Sequence, residues 1–337
     1  MNAVLSSGVM LVGEALVDEF AEQPVAGGAP LNVARSLAAL GVPAMLVSRL
    51  GLSQHVRQHQ GPGTGASAAD AGARLVLASL RRFGLDEQGL QFDTAHATGR
   101  VSVVEEGGTH AFRIHPDAAW DHLDGTAARA LLQGRPPAVL YFGSLAQRAP
   151  ASRAAIQALL QDAQRLGCLR YLDLNLREGC TEPSLVADCL AQADWLKLND
   201  PELLQVHQWF GSGPLDPLQP ARQLQRAVQA LMRRFGVQRL ILTRGAAGYA
   251  CFDARGEVLA EGSGRQDLTL VDTVGAGDAF SAMTLAAHLR GLDIAPALHL
   301  ANGYAAAICG QRGPIPDKDP FFQPWQQALA QTGVAPA

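Results

Sequence analysis

Short apolar runs alternate along the chain with longer stretches in which apolar residues recur every third or fourth position. Val9–Val12, Ala44–Ser48, Ala138–Phe142, Arg170–Leu174, Trp195–Leu198 and Leu240–Thr243 read as buried strands. Asn32–Leu40, Arg153–Leu166, Ser184–Ala191 and Pro220–Arg234 read as helices between them. Such alternation predicts βαβ units around a mostly parallel sheet. Asp173, Asn199 and Thr243 then fall at the C-terminal ends of strands, where open α/β sheets bind their ligands. The texture changes over residues 91–114, where Val101 and Val103 on one side and Ala111-Phe112-Arg113-Ile114 on the other flank Glu105-Glu106-Gly107-Gly108-Thr109, a hairpin pattern. Residues 52–69 are polar and glycine-rich with no apolar period, which predicts a flexible surface insertion. His55 and His59 lie in it four apart, but with no third ligand or supporting apolar face they read as surface residues.

The stretch Asp272-Thr273-Val274-Gly275-Ala276-Gly277-Asp278-Ala279-Phe280 carries the most chemistry. Leu268–Val271 before it reads as a buried strand, and residues 278 to about 290 as a helix. The glycines thus sit at a helix start, where peptide N–H groups have no helical partner and the dipole favours an anion. Asp278 is placed to take a proton from a hydroxyl attacking phosphorus there, or serves only as a favourable first-turn charge.

Composition narrows the classes. A chain of 337 residues with 48% hydrophobic content buries a substantial core. A net charge of −4 gives no footprint for nucleic acid or an anionic membrane. No run of about eighteen apolar residues occurs, and Glu14 and Asp18 interrupt an N-terminus without a basic leader region, so neither a membrane span nor a secretory signal is expected. The cysteines number 5 and lack C-x-x-C spacing, which argues against a disulfide framework or a zinc site and for free thiols in the cytoplasm. Lys197 and Lys318 are the only lysines and neither ends a G-x-x-x-x-G-K-[ST] loop, so a Walker-type site is excluded. No H-R-D or D-F-G element of protein kinases is present.

The segment DTVGAGDAF resembles the second signature of the PfkB, or ribokinase-like, carbohydrate kinases, and Gly27-Gly28-Ala29-Pro30-Leu31-Asn32-Val33-Ala34 with Leu37-Ala38-Ala39-Leu40-Gly41 resembles the first. Gly143-Ser144-Leu145, Asp173-Leu174-Asn175-Leu176-Arg177, Asn199-Asp200-Pro201-Glu202 and Thr243-Arg244-Gly245-Ala246-Ala247-Gly248 are similar to landmarks between them, and the likeness runs from about residue 9 to 316. It implies one domain over residues 1–337, a three-layer α/β/α sandwich with a mostly parallel central sheet. A small β-sheet lid over the sugar would come from about 13–28 and 91–117, and exposed lid strands of this kind imply a homodimer. Where the family has a short G-x-D-x-x-G turn, Asp70 and Gly72 nearly restore it after the insertion.

By the same resemblance Asp278 is the catalytic base, and the N–H groups of Gly275, Ala276 and Gly277 form the hole for the γ-phosphate of ATP. Asn199 and Glu202 match the N-x-x-E element that orients hydrated Mg2+ and the phosphates, Glu202 acting through water. Read from the residues alone, Asp200 would simply be the N-cap of a helix with Pro201 at its first position. Thr243, Gly245 and Gly248 correspond to the nucleotide loop and Asn302 to a position bordering adenine. Asp18 corresponds to the acid that takes sugar hydroxyls, with Gly27, Gly28 and Asn32 completing that wall and Arg177 facing the same cleft. Relatives also hold a monovalent cation such as K+ with the counterparts of Asp272, the Val274 carbonyl and a later loop. Here that loop, residues 310–316, is shortened, which argues against potassium activation.

The GGAP element is closer to fructokinases and 2-keto-3-deoxygluconate kinases than to ribokinases. Ile114 stands where many relatives carry an arginine, which points to a neutral ketohexose such as D-fructose rather than an acidic acceptor unless Arg113 or Arg100 substitutes. A 2-keto-3-deoxygluconate kinase, a ribokinase and a nucleoside kinase are the alternatives within the family; a silent sugar or nucleotide sensor and an oligomeric scaffold are those outside it.

Overall fold

The computed structural model describes residues 6–19, 24–54, 65–106, 109–211, 220–265, 269–316 and 319–332. Along the chain run β1 (Ser6–Val12), β2 (Leu16–Glu19), β3 (Pro24–Gly27), α1 (Ala29–Ala39), β4 (Ala44–Gly51), α2 (Ala71–Arg82), β5 (Leu90–Asp93), β6 (Gly99–Glu106) and β7 (Thr109–Ile114). They are followed by α3 (Gly125–Gly134), β8 (Pro137–Gly143), α4 (Pro150–Arg165), β9 (Leu169–Asp173), α5 (Pro183–Ala191), β10 (Trp195–Asn199), α6 (Asp200–Phe210) and α7 (Pro220–Phe235). The last are β11 (Arg239–Thr243), β12 (Tyr249–Phe252), β13 (Val258–Gly262), α8 (Ala276–Leu289), α9 (Ile294–Cys309) and α10 (Asp319–Thr332).

The main sheet has nine strands in the order β13-β12-β11-β10-β9-β8-β1-β4-β5, parallel from β11 to β5, with β12 and β13 antiparallel at one edge. Alternation along each strand divides the core. Val9 and Leu11 with Val139 and Tyr141 face a cluster built on α1, α2, α8 and α9, while Met10 and Val12 with Leu140 and Phe142 face one built on α3 to α7. This is the expected ribokinase-like three-layer sandwich. Among the described residues no helix is long and apolar enough to cross a membrane.

A second, four-stranded sheet has the order β3-β2-β6-β7 and is the expected small lid. Its β6–β7 pair is the predicted hairpin, paired from Val101 with Ile114 to Glu106 with Thr109. One boundary differs: residues 91–93 lie in β5, which pairs with β4 at the edge of the main sheet and not in the lid, because register with Arg49, Leu50 and Gly51 claims them first. The predicted strand at Leu268–Val271 is also corrected. Residue 268 lies outside the described residues, and Leu270 and Val271 are 63% and 57% exposed in irregular backbone, where Val271 N–H donates to the Cys309 carbonyl instead of a ladder. Of the insertion at 52–69, residues 55–64 with His55 and His59 lie outside the described residues, while Leu52 and Ala69 bridge its base. Asp70 caps α2, its carboxylate accepting from Ala73 N–H at 2.7 Å.

Candidate active site

The anion hole is made where the chain turns into α8. Gly275 is the N-cap in the left-handed region (φ 80°), and Ala276, Gly277 and Asp278 form the first turn, so their N–H groups have no intrahelical acceptors, and that of Ala276 meets the Thr273 carbonyl before the helix at 3.3 Å. A Cβ on Gly275 would stand 2.5 Å from Pro314 Cα, so the C-terminal loop forms the back wall of this turn. A Cβ on Gly277 would stand 2.9 Å from Lys197 Nζ, so an ammonium lies directly behind the hole. Asp272 fastens the same loop: its two carboxylate oxygens accept from Val274 N–H at 3.0 Å and Gly313 N–H at 2.9 Å. The groups named for a monovalent cation are therefore together, with the Asp272 carboxylate engaged by the backbone.

Lys197 Nζ donates to both oxygens of Asp173 at 3.0 and 3.1 Å, and Ser281 on α8 donates to Asp173 at 2.8 Å. Burial works against the Lys197 charge, yet the Asp173 and Glu202 carboxylates hold its pKa above the usual lysine value. Sequence reasoning set Lys197 aside for want of a phosphate loop; its place on β10 two residues before Asn199 was the available signal.

Asn199 and Glu202 form a capping box on α6. Asn199 Oδ1 accepts from Glu202 N–H at 2.9 Å, and Glu202 Oε2 accepts from Asn199 N–H at 2.8 Å. The N-cap is thus Asn199 and not Asp200, and Pro201 falls at the second helical position, because the asparagine side chain closes the turn one residue earlier. Glu202 Oε1 also accepts from Leu176 N–H at 2.8 Å, which ties α6 to the Asp173–Arg177 segment. Burial raises the Glu202 pKa against the lowering effect of Lys197.

Asp278 meets the wall expected for the acceptor directly, since Asn32 Nδ2 on α1 donates to Asp278 Oδ2 at 2.7 Å. Arg35, a turn further along α1, donates to Asn32 Oδ1 and to the Ala26 carbonyl. Burial, then the Asp173 charge, push the Asp278 pKa upward, while Asn32, Lys197 and Arg177 oppose the rise. Asp18 lies across β3, where a Cβ on Gly27 would stand 2.1 Å from its Oδ2; only glycine admits that carboxylate. Gly28 has φ 109° and its Cβ would stand 2.6 Å from the Glu14 carbonyl, so its position also demands glycine. Burial raises Asp18 to about 6, with Arg177 and Arg35 working against it. Glu14, which the sequence reading gave no role, is 2% exposed, accepts from Ala29 N–H at 3.2 Å and is pushed by burial to about 7. Exposed Arg177 stands on the rim, its charge felt at Glu14, Asp18 and Asp278.

The residues expected on the nucleotide side also come together. Thr243 ends β11, Arg244 N–H bonds the Gly248 carbonyl at 2.8 Å, and a Cβ on Gly248 would stand 1.9 Å from the Gly262 carbonyl oxygen. Gly245, with φ 51°, opens this turn. Asn302 on α9 donates to the Ser263 carbonyl at 3.0 Å, which brings it to the end of β13 beside the same turn.

A mostly parallel sheet with a helix-capped anion hole, a buried carboxylate beside it and a small sheet over the acceptor side defines a phosphotransferase that acts on alcohols. The chain belongs to the family described as pfkB family carbohydrate kinase, which matches residues 65–320. It is 27% identical to fructokinase-1 of Oryza sativa over 93% of each chain. It is 29% identical to a fructokinase of Escherichia coli over 82% of this chain and 83% of that one. The crystal structure of a fructokinase with bound ATP from Xylella fastidiosa superposes with a TM-score of 0.78 at 20% identity, covering 97% of this chain and 99% of that one. The protein is a sugar kinase of this family.

Proposed function

We propose that the protein is a fructokinase that transfers the γ-phosphoryl group of Mg-ATP to a hydroxyl of D-fructose in the cytoplasm. The bond from Asn32 to Asp278 carries this reading, because it sets the acceptor wall against the base and the anion hole. The curated relatives named as fructokinases support the sugar. A neutral acceptor fits the lid side, where Ile114 supplies no charge, Arg100 is paired with Glu19 at 3.2 Å and Arg113 points to solvent.

In this reading Asp18 and Asn32 hold the sugar and Asp278 accepts the proton as the hydroxyl oxygen bonds to phosphorus and the bond to ADP breaks. The N–H groups at 275–277, with Lys197 behind them, hold the charge on the transferring oxygens. Asp173, Glu202 and Asp278 around one ammonium leave an excess of negative charge that fits a divalent cation, and Glu202, whose oxygens already take backbone donors, suits water-mediated contact with Mg2+. Thr243, Gly245, Gly248 and Asn302 would border the nucleotide. A homodimer through the lid sheet is part of the same proposal.

The test is ADP release with Mg-ATP against fructose, mannose, glucose, ribose, 2-keto-3-deoxygluconate and adenosine. Fructose is expected to give the highest kcat/KM; a higher value for any other acceptor replaces the sugar. The raised pKa of Asp18 adds a pH signature. Taking hydroxyl donors at both oxygens needs the ionised carboxylate, because protonation turns one oxygen into a donor, so the KM for sugar is expected to rise about tenfold per pH unit below about 6. In the Asp18→Asn protein the KM is expected to be high and flat over that range, and an unchanged slope would remove Asp18 from the sugar site.

A further inference from the structure

The lid hairpin joins the body through two connectors, residues 94–98 entering β6 and residues 115–118 leaving β7. His96 lies on the first and Asp117 on the second, and His122 follows on a one-turn helix, Ala119–His122, that packs on the body. Their donor atoms all lie within 4.8 Å of one another. His122 Nε2 is 2.9 Å and His96 Nε2 3.5 Å from the same oxygen, Asp117 Oδ1. The imidazole rings stack at 3.6 Å with an angle of 9°. Asp117 holds this position with φ 56°, a left-handed conformation unusual outside glycine.

The surroundings fix which atoms face inward. Asp93 Oδ1 accepts from Ala95 N–H at 2.7 Å and His96 N–H at 2.6 Å and meets His96 Nδ1 at 3.1 Å, while Asp93 Oδ2 pairs with Arg49 at 2.8 Å. Such an oxygen is an acceptor, so His96 Nδ1 carries the hydrogen and Nε2 is the ring atom left facing Asp117. Arg49 also donates to the His122 carbonyl at 2.6 Å, so one arginine braces both histidine segments. The Nε2 atoms of both rings are thus turned to one carboxylate oxygen, a grouping of donor atoms that a proton or a metal ion can hold together.

We propose that His96, His122 and Asp117 bind a first-row divalent transition metal, of the Zn2+ class, at the root of the lid. Two imidazoles and one carboxylate suit Zn2+, Co2+ or Ni2+ and not Mg2+ or Ca2+, and Asp93 is the outer carboxylate that orients a ligating histidine. Binding requires the parallel rings to open so that each lone pair meets the ion. The three ligands come from both lid connectors and the body, so the metal ties the lid hinge together. None of them belongs to the phosphate or sugar site.

Metal-free protein is titrated with Zn2+ by calorimetry and with Co2+ by visible absorption, in millimolar Mg2+. One equivalent is expected to bind at micromolar Kd or tighter, and His96→Gln, His122→Gln and Asp117→Asn are each expected to weaken it at least tenfold. Asp117 is 73% exposed, so its variant folds whatever becomes of the others, and sugar-dependent turnover without Zn2+ is expected to match wild type in all three. These variants keep His55 and His59. Binding that survives the substitutions therefore belongs to other histidines and overturns the proposal, as does a wild-type protein that binds no stoichiometric Zn2+.

Discussion

Asp278→Asn is expected to lower sugar-dependent ADP release by about a hundredfold or more, the scale of losing a general base. The substitution isolates chemistry from architecture. Asn32 Nδ2 donates to Asp278 Oδ2, and an asparagine amide oxygen at that position accepts the same bond. The first turn of α8 and the acceptor wall therefore keep their geometry, while the side chain loses the capacity to take a proton. Turnover is measured beside protection of the protein by sugar and by ATP against thermal unfolding. Full protection with turnover lost assigns the proton transfer to Asp278; turnover within about threefold of wild type would sink the assignment.

Lys197→Met is expected to give the largest stability loss. Asp173 is 1% exposed and Lys197 7%, so removing the ammonium strands a carboxylate away from water. Breaking a buried pair in this way costs about 3–5 kcal/mol. For a chain of 337 residues that lowers the thermal midpoint by roughly 4–7 °C. Adding Asp173→Asn removes the stranded charge, and the double variant is expected to recover much of the loss. A Lys197→Met midpoint within about 1 °C of wild type would show that Asp173 does not depend on the lysine.

The strands were the most legible part of the fold, for a physical reason. A parallel strand covered by helices on both faces must be apolar throughout, and Val9–Val12 and Leu240–Thr243 are written that way. Leu268–Val271 shows the weakness of the same signal, since an apolar run does not reveal whether a ladder partner exists, and Leu270 and Val271 lie on the surface. The edge strands β12 and β13 escaped because they are short and antiparallel, with Val258 and Leu259 exposed. At the candidate site, motifs singled out Asp278, Asn32, Asp18 and Glu202, but not what each touches. The N-x-x-E spacing was equally a capping box, and geometry shows both oxygens of Glu202 in use. Glu14, Asp173 and Lys197 are buried charges whose partners lie fifteen or more residues away in sequence, and no local pattern announces such pairings.

Gly275 turns in the left-handed region with Pro314 pressed against the face where a side chain would stand. The cradle proposed for the phosphate is thus walled by a residue that comes later in the chain than every strand of the sheet. During synthesis the acceptor wall and the whole parallel sheet leave the ribosome first, and the nascent chain has no finished cradle until Pro314 emerges. A chain in synthesis therefore holds the groups proposed for the sugar before it holds the finished cradle proposed for ATP.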